Sequence, residues 1–296
     1  MAKKSNKYAG DAGTVYEPSG VASYLGLGRP INFEDSVTKA AMICTVVVSV
    51  LMTLWKHMNG MEVNDAVVAG VGSALGFLLS FMVAQELDPD RQMGGIIGVG
   101  LTLVAFYFLG EGNFLVMLWL LFILRMLTRT SGDRHRIADN VIMIGIAAWL
   151  GREGYWAYPM LTGAAYVLES QITAGYFRSL YLAGVALACL IFANYSGGDN
   201  ALHIYYIYMM AVAFILFLPE LRTASYVQAK GDKNGKRLLP KRLQAAQGFF
   251  LMAGFSVALL HGNSQALSMI PAYMADVGSG VFMVVDMTCK FKKIIY

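Results

Sequence analysis

Ten apolar runs separated by short polar stretches dominate the chain, at roughly 38–56, 65–85, 93–110, 113–127, 137–150, 155–174, 179–195, 201–218, 244–261 and 266–287. A membrane-spanning helix needs roughly 20 predominantly apolar residues. The pattern therefore predicts an all-α polytopic integral membrane bundle of about ten transmembrane helices. The fourth and fifth runs are the shortest and are edged by Arg125 and Arg136. Merging them into a re-entrant hairpin would carry Arg125, Arg129, Arg134 and Arg136 to membrane depth. Each charge there costs roughly 2.5–3.5 kcal/mol, so two short spans whose arginines snorkel to the surface are expected instead.

The basic residues orient this bundle. With the N-terminus in the cytoplasm, 21 of the 23 Lys and Arg fall on the cytoplasmic side, and only Lys56 and Arg152 face out. Positive residues resist translocation, so the chain is expected N-in and C-in in a plasma (inner) membrane. Residues 1–37 read as a polar cytoplasmic tail; no apolar segment follows Lys3, Lys4 and Lys7, as a cleavable signal would require. Residues 38–287 form a single bundle with a long cytoplasmic loop at 219–243, and 288–296 form a basic tail. Five spans followed by five invert the second half relative to the first, the arrangement of inverted-repeat transporters. The short matching pieces Ala138-Asp139-Asn140 and Ala275-Asp276-Val277 suggest such a repeat.

Composition sharpens the exclusions. Of 296 residues 57% are hydrophobic and 14% charged, against about 25% charged in soluble domains. No separate soluble catalytic domain fits. The net charge of +4 reads as topology and as contact with anionic lipid headgroups, not with nucleic acid. Cys44, Cys189 and Cys289 form no CxxC, and the four histidines share no ligand spacing, so no disulfide, zinc or haem site is expected.

Most polar and small residues inside the runs have packing roles. Gly72 with Gly76, and Gly94 with Gly98, form GxxxG spacings that let helix backbones approach closely. Asp276 is different. It lies near the middle of the last run, between Pro271 and the pair Gly278 and Gly280. A carboxylate there is expensive and by default functional, and Pro and Gly are expected to loosen the helix around it. Glu169 is a second candidate; with Thr162, seven residues earlier, it shares one helix face and would line one wall of a polar pathway. These residues point to a secondary carrier that moves a small solute or ion by proton or cation coupling.

An alternative rests on the cytoplasmic surface. Glu86, Asp88 and Asp90 crowd one short loop, and Arg125 and Arg129 lie in the next cytoplasmic segment. Carboxylates of this kind hold Mg²⁺ together with substrate phosphates, and arginines grip phosphate bidentately. A metal-dependent transferase or hydrolase acting on a lipid phosphate would use both, provided the loops converge; only this reading calls for a cofactor. The opposing expectation is a tight turn whose acids pair with the neighbouring basic loop. Loop 230–237 predicts a small hairpin from Gly231-Asp232 and Asn234-Gly235, with Lys241 and Arg242 at headgroup level. A structural subunit of a homo-oligomer or larger membrane complex is the third possibility.

Overall fold

The structure, a computed structural model, describes residues 24–28, 36–195 and 202–295, with side chains through 289 from Val37 onward. Most of the polar N-terminal tail and the side chains of the basic C-terminal tail lie outside the described residues. Those residues form ten α-helices: α1 (Ser36–Met58), α2 (Val63–Leu87), α3 (Gln92–Leu109), α4 (Phe114–Thr128), α5 (Ile137–Arg152), α6 (Ala157–Gln171), α7 (Ser179–Ala188), α8 (Ile204–Thr223), α9 (Pro240–Ser268) and α10 (Ile270–Ile295). Short 3₁₀ turns extend α7 (Cys189–Phe192) and α8 (Ala224–Tyr226). Each apolar run thus forms one helix. By length and composition six of them, α1, α2, α3, α8, α9 and α10, suffice to cross a membrane. The chain is a multi-pass helical membrane protein.

The remaining four helices are short for a span. At 1.5 Å per residue, the 15, 16 and 15 residues of α4, α5 and α6 reach only about 24 Å, against a hydrocarbon core of about 30 Å. Local signals set these limits. Asn113 caps α4 by accepting from the Leu115 N–H at 2.9 Å, and α4 stops where Arg129 turns left-handed (φ 57°, ψ 38°). Asp139 reaches back to accept from the Arg136 N–H at 2.7 Å and so opens α5.

Helix α4 occupies the middle of the molecule. It is apolar on every side, and Trp119, Leu120, Ile123, Leu124 and Leu127 are fully buried, as expected of a helix enclosed by others. Around it pack α2, α5, α6 and α9. Helix α1 is the converse: it leans on α2 and leaves Ile43, Val46, Val50, Leu51 and Leu54 exposed, a surface suited to lipid. Helices α3 and α10 meet backbone to backbone. A Cβ on Gly98 would sit 2.8 Å from the Ala275 Cα, and one on Gly278 would sit 2.2 Å from the Gly98 nitrogen. The Gly94–Gly98 spacing therefore serves close helix approach. Gly76 instead faces the Phe106 ring, and a Cβ on Gly72 would sit 3.5 Å from a Glu111 carboxylate oxygen.

Successive helices alternate in direction. One end of the bundle joins Arg125 to Glu86 and Arg242 to Glu169; the other joins Lys56 to Glu111 at 3.3 Å and the Asn113 N–H to Ser268 at 3.1 Å. The first, called the basic end below, gathers the arginine-rich segments.

Two sequence expectations need correction. Pro271 does not loosen α10: it sits in the first turn, where no intrahelical N–H is needed, and its carbonyl accepts from Ser80 at 2.8 Å. The break falls instead at Gly262 (φ 69°, ψ −151°), between the body of α9 and its last turns. Arg242 does not point outward as a headgroup contact would require. It turns inward from the start of α9 and is 1% exposed.

Candidate functional site

Four clusters of buried polar residues lie within the bundle or at its basic end, and they differ in how completely neighbours satisfy them. Glu169, on the last turn of α6, is fully buried and accepts from Arg129 at 2.6 Å and from Arg242. Arg242 also donates to the Met126 carbonyl at 2.9 Å and the Thr173 carbonyl at 3.1 Å. This cluster ties α4, α6 and α9 together at their basic ends. Thr162, two turns back on the same face, accepts from the Trp119 indole N–H at 2.8 Å and donates to the Tyr158 carbonyl at 2.7 Å. The polar atoms of both candidate pathway residues are therefore engaged by protein partners, Thr162 partly within its own helix.

The second cluster is Glu86 at the end of α2. It accepts from Arg125 Nε at 3.0 Å, from Thr128 at 3.2 Å and from Thr130. The loops needed by a phosphate-handling site do converge here, but Glu86 and Arg125 meet as an ion pair. Asp90 lies apart, accepting from the Gln228 and Ala229 N–H groups at 2.9 and 2.6 Å. Among the described residues, no group of three or more His, Cys, Asp or Glu is placed to hold a metal ion.

The third cluster joins the loop between α2 and α3 to helices α8 and α10. Arg91, at the start of α3, lies 3.3 Å from Asp88, 3.4 Å from Glu220 of α8 and 3.6 Å from Asp286 of α10. A cavity of about 120 Å³ opens beside it, lined by Asp88, Arg91, Glu220, Thr223 and Tyr226. Burial pushes the Asp88 carboxyl up from the usual carboxylate range, although Arg91 pulls it down. Burial also works to lower Arg91, but Asp88 and Glu220 outweigh it and hold the guanidinium above its ordinary value. Three carboxylates thus lie within 3.6 Å of this guanidinium. The sequence placed Asp88 and Glu220 in separate loops and offered no signal for Asp286, which lies late in the last apolar run.

Asp276 forms the fourth site. It is fully buried on α10, and among the described residues neither carboxylate oxygen has a hydrogen-bond partner. It borders a cavity of about 10 Å³, lined by Met210, Ala213, Phe214, Phe250, Phe255 and Tyr273 from α8, α9 and α10. That is about the space of one water molecule. The nearby Tyr273 hydroxyl is already committed to the Gly254 carbonyl at 3.0 Å. Glu220 lies on the adjoining helix α8, close enough to act electrostatically on Asp276. An acid in the bundle interior is thus followed, toward the basic end, by Glu220 and then Asp88 and Asp286 around Arg91.

The sequence-predicted hairpin is present as an antiparallel bridge between Lys230 and Arg237. Most of its side chains are exposed, but it is anchored to the neighbouring loop. The Asp232 and Lys233 N–H groups donate to the Thr130 and Ser131 carbonyls at 3.0 Å, and the Asn234 side chain donates to the Gly132 carbonyl at 2.6 Å. Lys233 Nζ caps the Leu25 and Gly26 carbonyls at 3.1 and 2.9 Å, while the Gly26 N–H donates to Asp139 at 2.8 Å. Comparison with protein-family models, curated proteins and solved structures finds no match to this chain.

Proposed function

We propose that this multi-pass protein is a secondary carrier that moves a proton or small cation, alone or coupled to a small solute. Asp276 is the acid that binds and releases the coupling ion, and Glu220 with Asp88 hands it to the basic end. One observation carries this reading: Asp276 is fully enclosed with both oxygens unpaired. Among the described residues the other buried acids all have partners: Glu86, Glu169 and Asp139 are each held by several donors, and Asp88 and Glu220 pair with Arg91. Removing a carboxyl from water without a partner costs several kcal/mol, and a packing role alone would be served by a hydrogen bond. The proposal retains ten crossings, cytoplasmic termini and a plasma (inner) membrane. The five-plus-five repeat draws no support from helix lengths, since α2 has 25 residues and its counterpart α7 has 10.

The test is proton movement into proteoliposomes holding a trapped pH-sensitive dye, under an imposed pH gradient and with potassium and valinomycin present. Wild type is expected to acidify the lumen faster than empty vesicles, and Asp276→Asn to return to the empty-vesicle rate while keeping its melting temperature. Undiminished flux in Asp276→Asn removes the proposal. The lipid-phosphate enzyme draws support only from the convergence of Glu86 with the arginine loop. With Glu86 held by Arg125 and Arg129 by Glu169, both of its phosphate-binding arginines are already paired with carboxylates. A structural subunit or homo-oligomer would draw on the exposed apolar face of α1, which lipid covers equally well.

A further inference from the structure

A cavity of about 880 Å³ opens at the basic end between α5 and α7, lined by Arg136, Ile137, Tyr176, Arg178, Tyr181 and Leu182. Its size lies within the roughly 300–1,000 Å³ of small-ligand pockets, and two chemistries meet in it. At the mouth the charge is unbalanced. Arg178 makes no side-chain hydrogen bond or ion pair with a described residue. Arg136 is half-exposed and pairs with Asp133 at 2.8 Å, and Arg134 lies over the Tyr176 ring at 5.3 Å. The other nearby acid, Asp139, is occupied by the Gly26, Leu27 and Arg136 N–H groups. Among the described residues, three guanidinium groups therefore gather here around Asp133, which pairs with Arg136.

Beyond the mouth the walls are apolar and open. Ile137 is 82% exposed and Tyr181 69%. Helices α5 and α7 both run away from the basic end, so the exposed Val141 and Val185, one turn further along, continue this apolar surface away from it. Bare phosphate would satisfy the arginines and leave the walls uncovered. A neutral acyl chain would do the reverse.

We propose that this groove binds an anionic phospholipid from the surrounding bilayer. Its phosphate lies between Arg136 and Arg178, where guanidinium groups form charge-assisted bonds, and one acyl chain lies along Ile137 and Val141 of α5 and Tyr181 and Val185 of α7. Tyr24, held at the mouth by the docked segment 24–28, closes the headgroup side. This site is independent of Asp276, which lies among α8, α9 and α10.

The experiment is native mass spectrometry of delipidated full-length protein in detergent, with dioleoyl phosphatidylglycerol and dioleoyl phosphatidylcholine added at equal concentration. Wild type is expected to carry phosphatidylglycerol at least fivefold more than phosphatidylcholine. The double variant Arg136→Gln/Arg178→Gln is expected to lose that preference, while its phosphatidylcholine adducts stay unchanged. Ala138→Trp keeps both arginines and fills the groove from α5, and is expected to lose phosphatidylglycerol as well; it serves as the second variant if the arginine variant fails to fold. Equal binding of the two lipids by wild type overturns the proposal, as does full phosphatidylglycerol binding by both variants. Displacement of the lipid by an equal concentration of inorganic phosphate marks a small-anion site instead, and also overturns it.

Discussion

At the scale of single residues, what separates the buried acids is the company they keep. Glu169 is held by two guanidinium groups, one of them 1% exposed. Removing one partner of a buried pair strands the other charge and costs about 3–5 kcal/mol. Glu169→Ala is expected to lower stability by that amount in chemical unfolding in detergent. Thr162→Val, which orphans only the Trp119 N–H, should cost about 1–3 kcal/mol. Comparable losses in the two variants would show that the Glu169 ion pairs do not hold the helices together. His135 supplies a pH signature outside the membrane spans. Its Nε2 lies 3.0 Å from Ser179, and burial lowers its imidazole below the usual 6.5, with Glu169 pulling the other way. The folded state therefore binds fewer protons than the unfolded state between the lowered value and 6.5. Stability contributed by neutral His135 is present above pH 6.5 and is lost as pH falls below it. The melting temperature should fall between pH 7 and pH 5.5, and His135→Gln should flatten that slope; an unchanged slope would assign the acid sensitivity to other groups.

At the scale of helices and their contacts, the α3–α10 crossing is the tightest test. Gly278→Ala puts a methyl into the Gly98 backbone, and overpacking of this kind costs about 1–3 kcal/mol. Gly145→Ala, with open space around the new Cβ, is expected to match wild type or exceed it slightly. Equal melting temperatures for the two variants would contradict the close crossing. The docked segment 24–28 makes a similar prediction. A Cβ on Gly26 would fall 1.9 Å from the Arg134 carbonyl oxygen, so Gly26→Ala should release the segment. Hydrogen exchange at the Gly26 and Leu27 amides should then rise in the variant, while exchange in α4 stays slow. The helices themselves were legible, because each apolar run is a local property: ten runs became ten helices, and the predicted hairpin became the Lys230–Arg237 bridge. Helix breaks were less legible. Pro271 marks a helix start and Gly262 a helix break, and only backbone geometry separates the two roles.

For the whole molecule, the open quantity is the number of crossings. Six helices are long and apolar enough to span a bilayer, while α4, enclosed by other helices, has only 15 residues. If all ten cross, single cysteines at Asp133 and Glu153 should label from opposite faces of sealed vesicles, after Cys44, Cys189 and Cys289 are replaced. Labelling of both from one face would make α5 an enclosed or re-entrant helix. Glu153 suits this probe because it sits in an exposed loop. Gly278, although beside Asp276 in sequence, does not, because its Cα lies against Gly98.

The sequence alone determined the helical class, the ten elements, the alternation of direction and the gathering of basic residues at one end. Hydropathy and charge act within some twenty residues of chain, so a linear reading captures them. It also singled out Asp276, because a carboxylate inside an apolar run is anomalous wherever the run packs. Tertiary structure decided which acids are satisfied. Glu169 meets Arg242 across 73 residues of chain, Glu86 meets Thr130 across 44, and Glu220 meets Arg91 across 129. A charge's free energy in a bundle depends on the partner within a few ångströms, and that partner is set by helix packing, not by spacing along the chain.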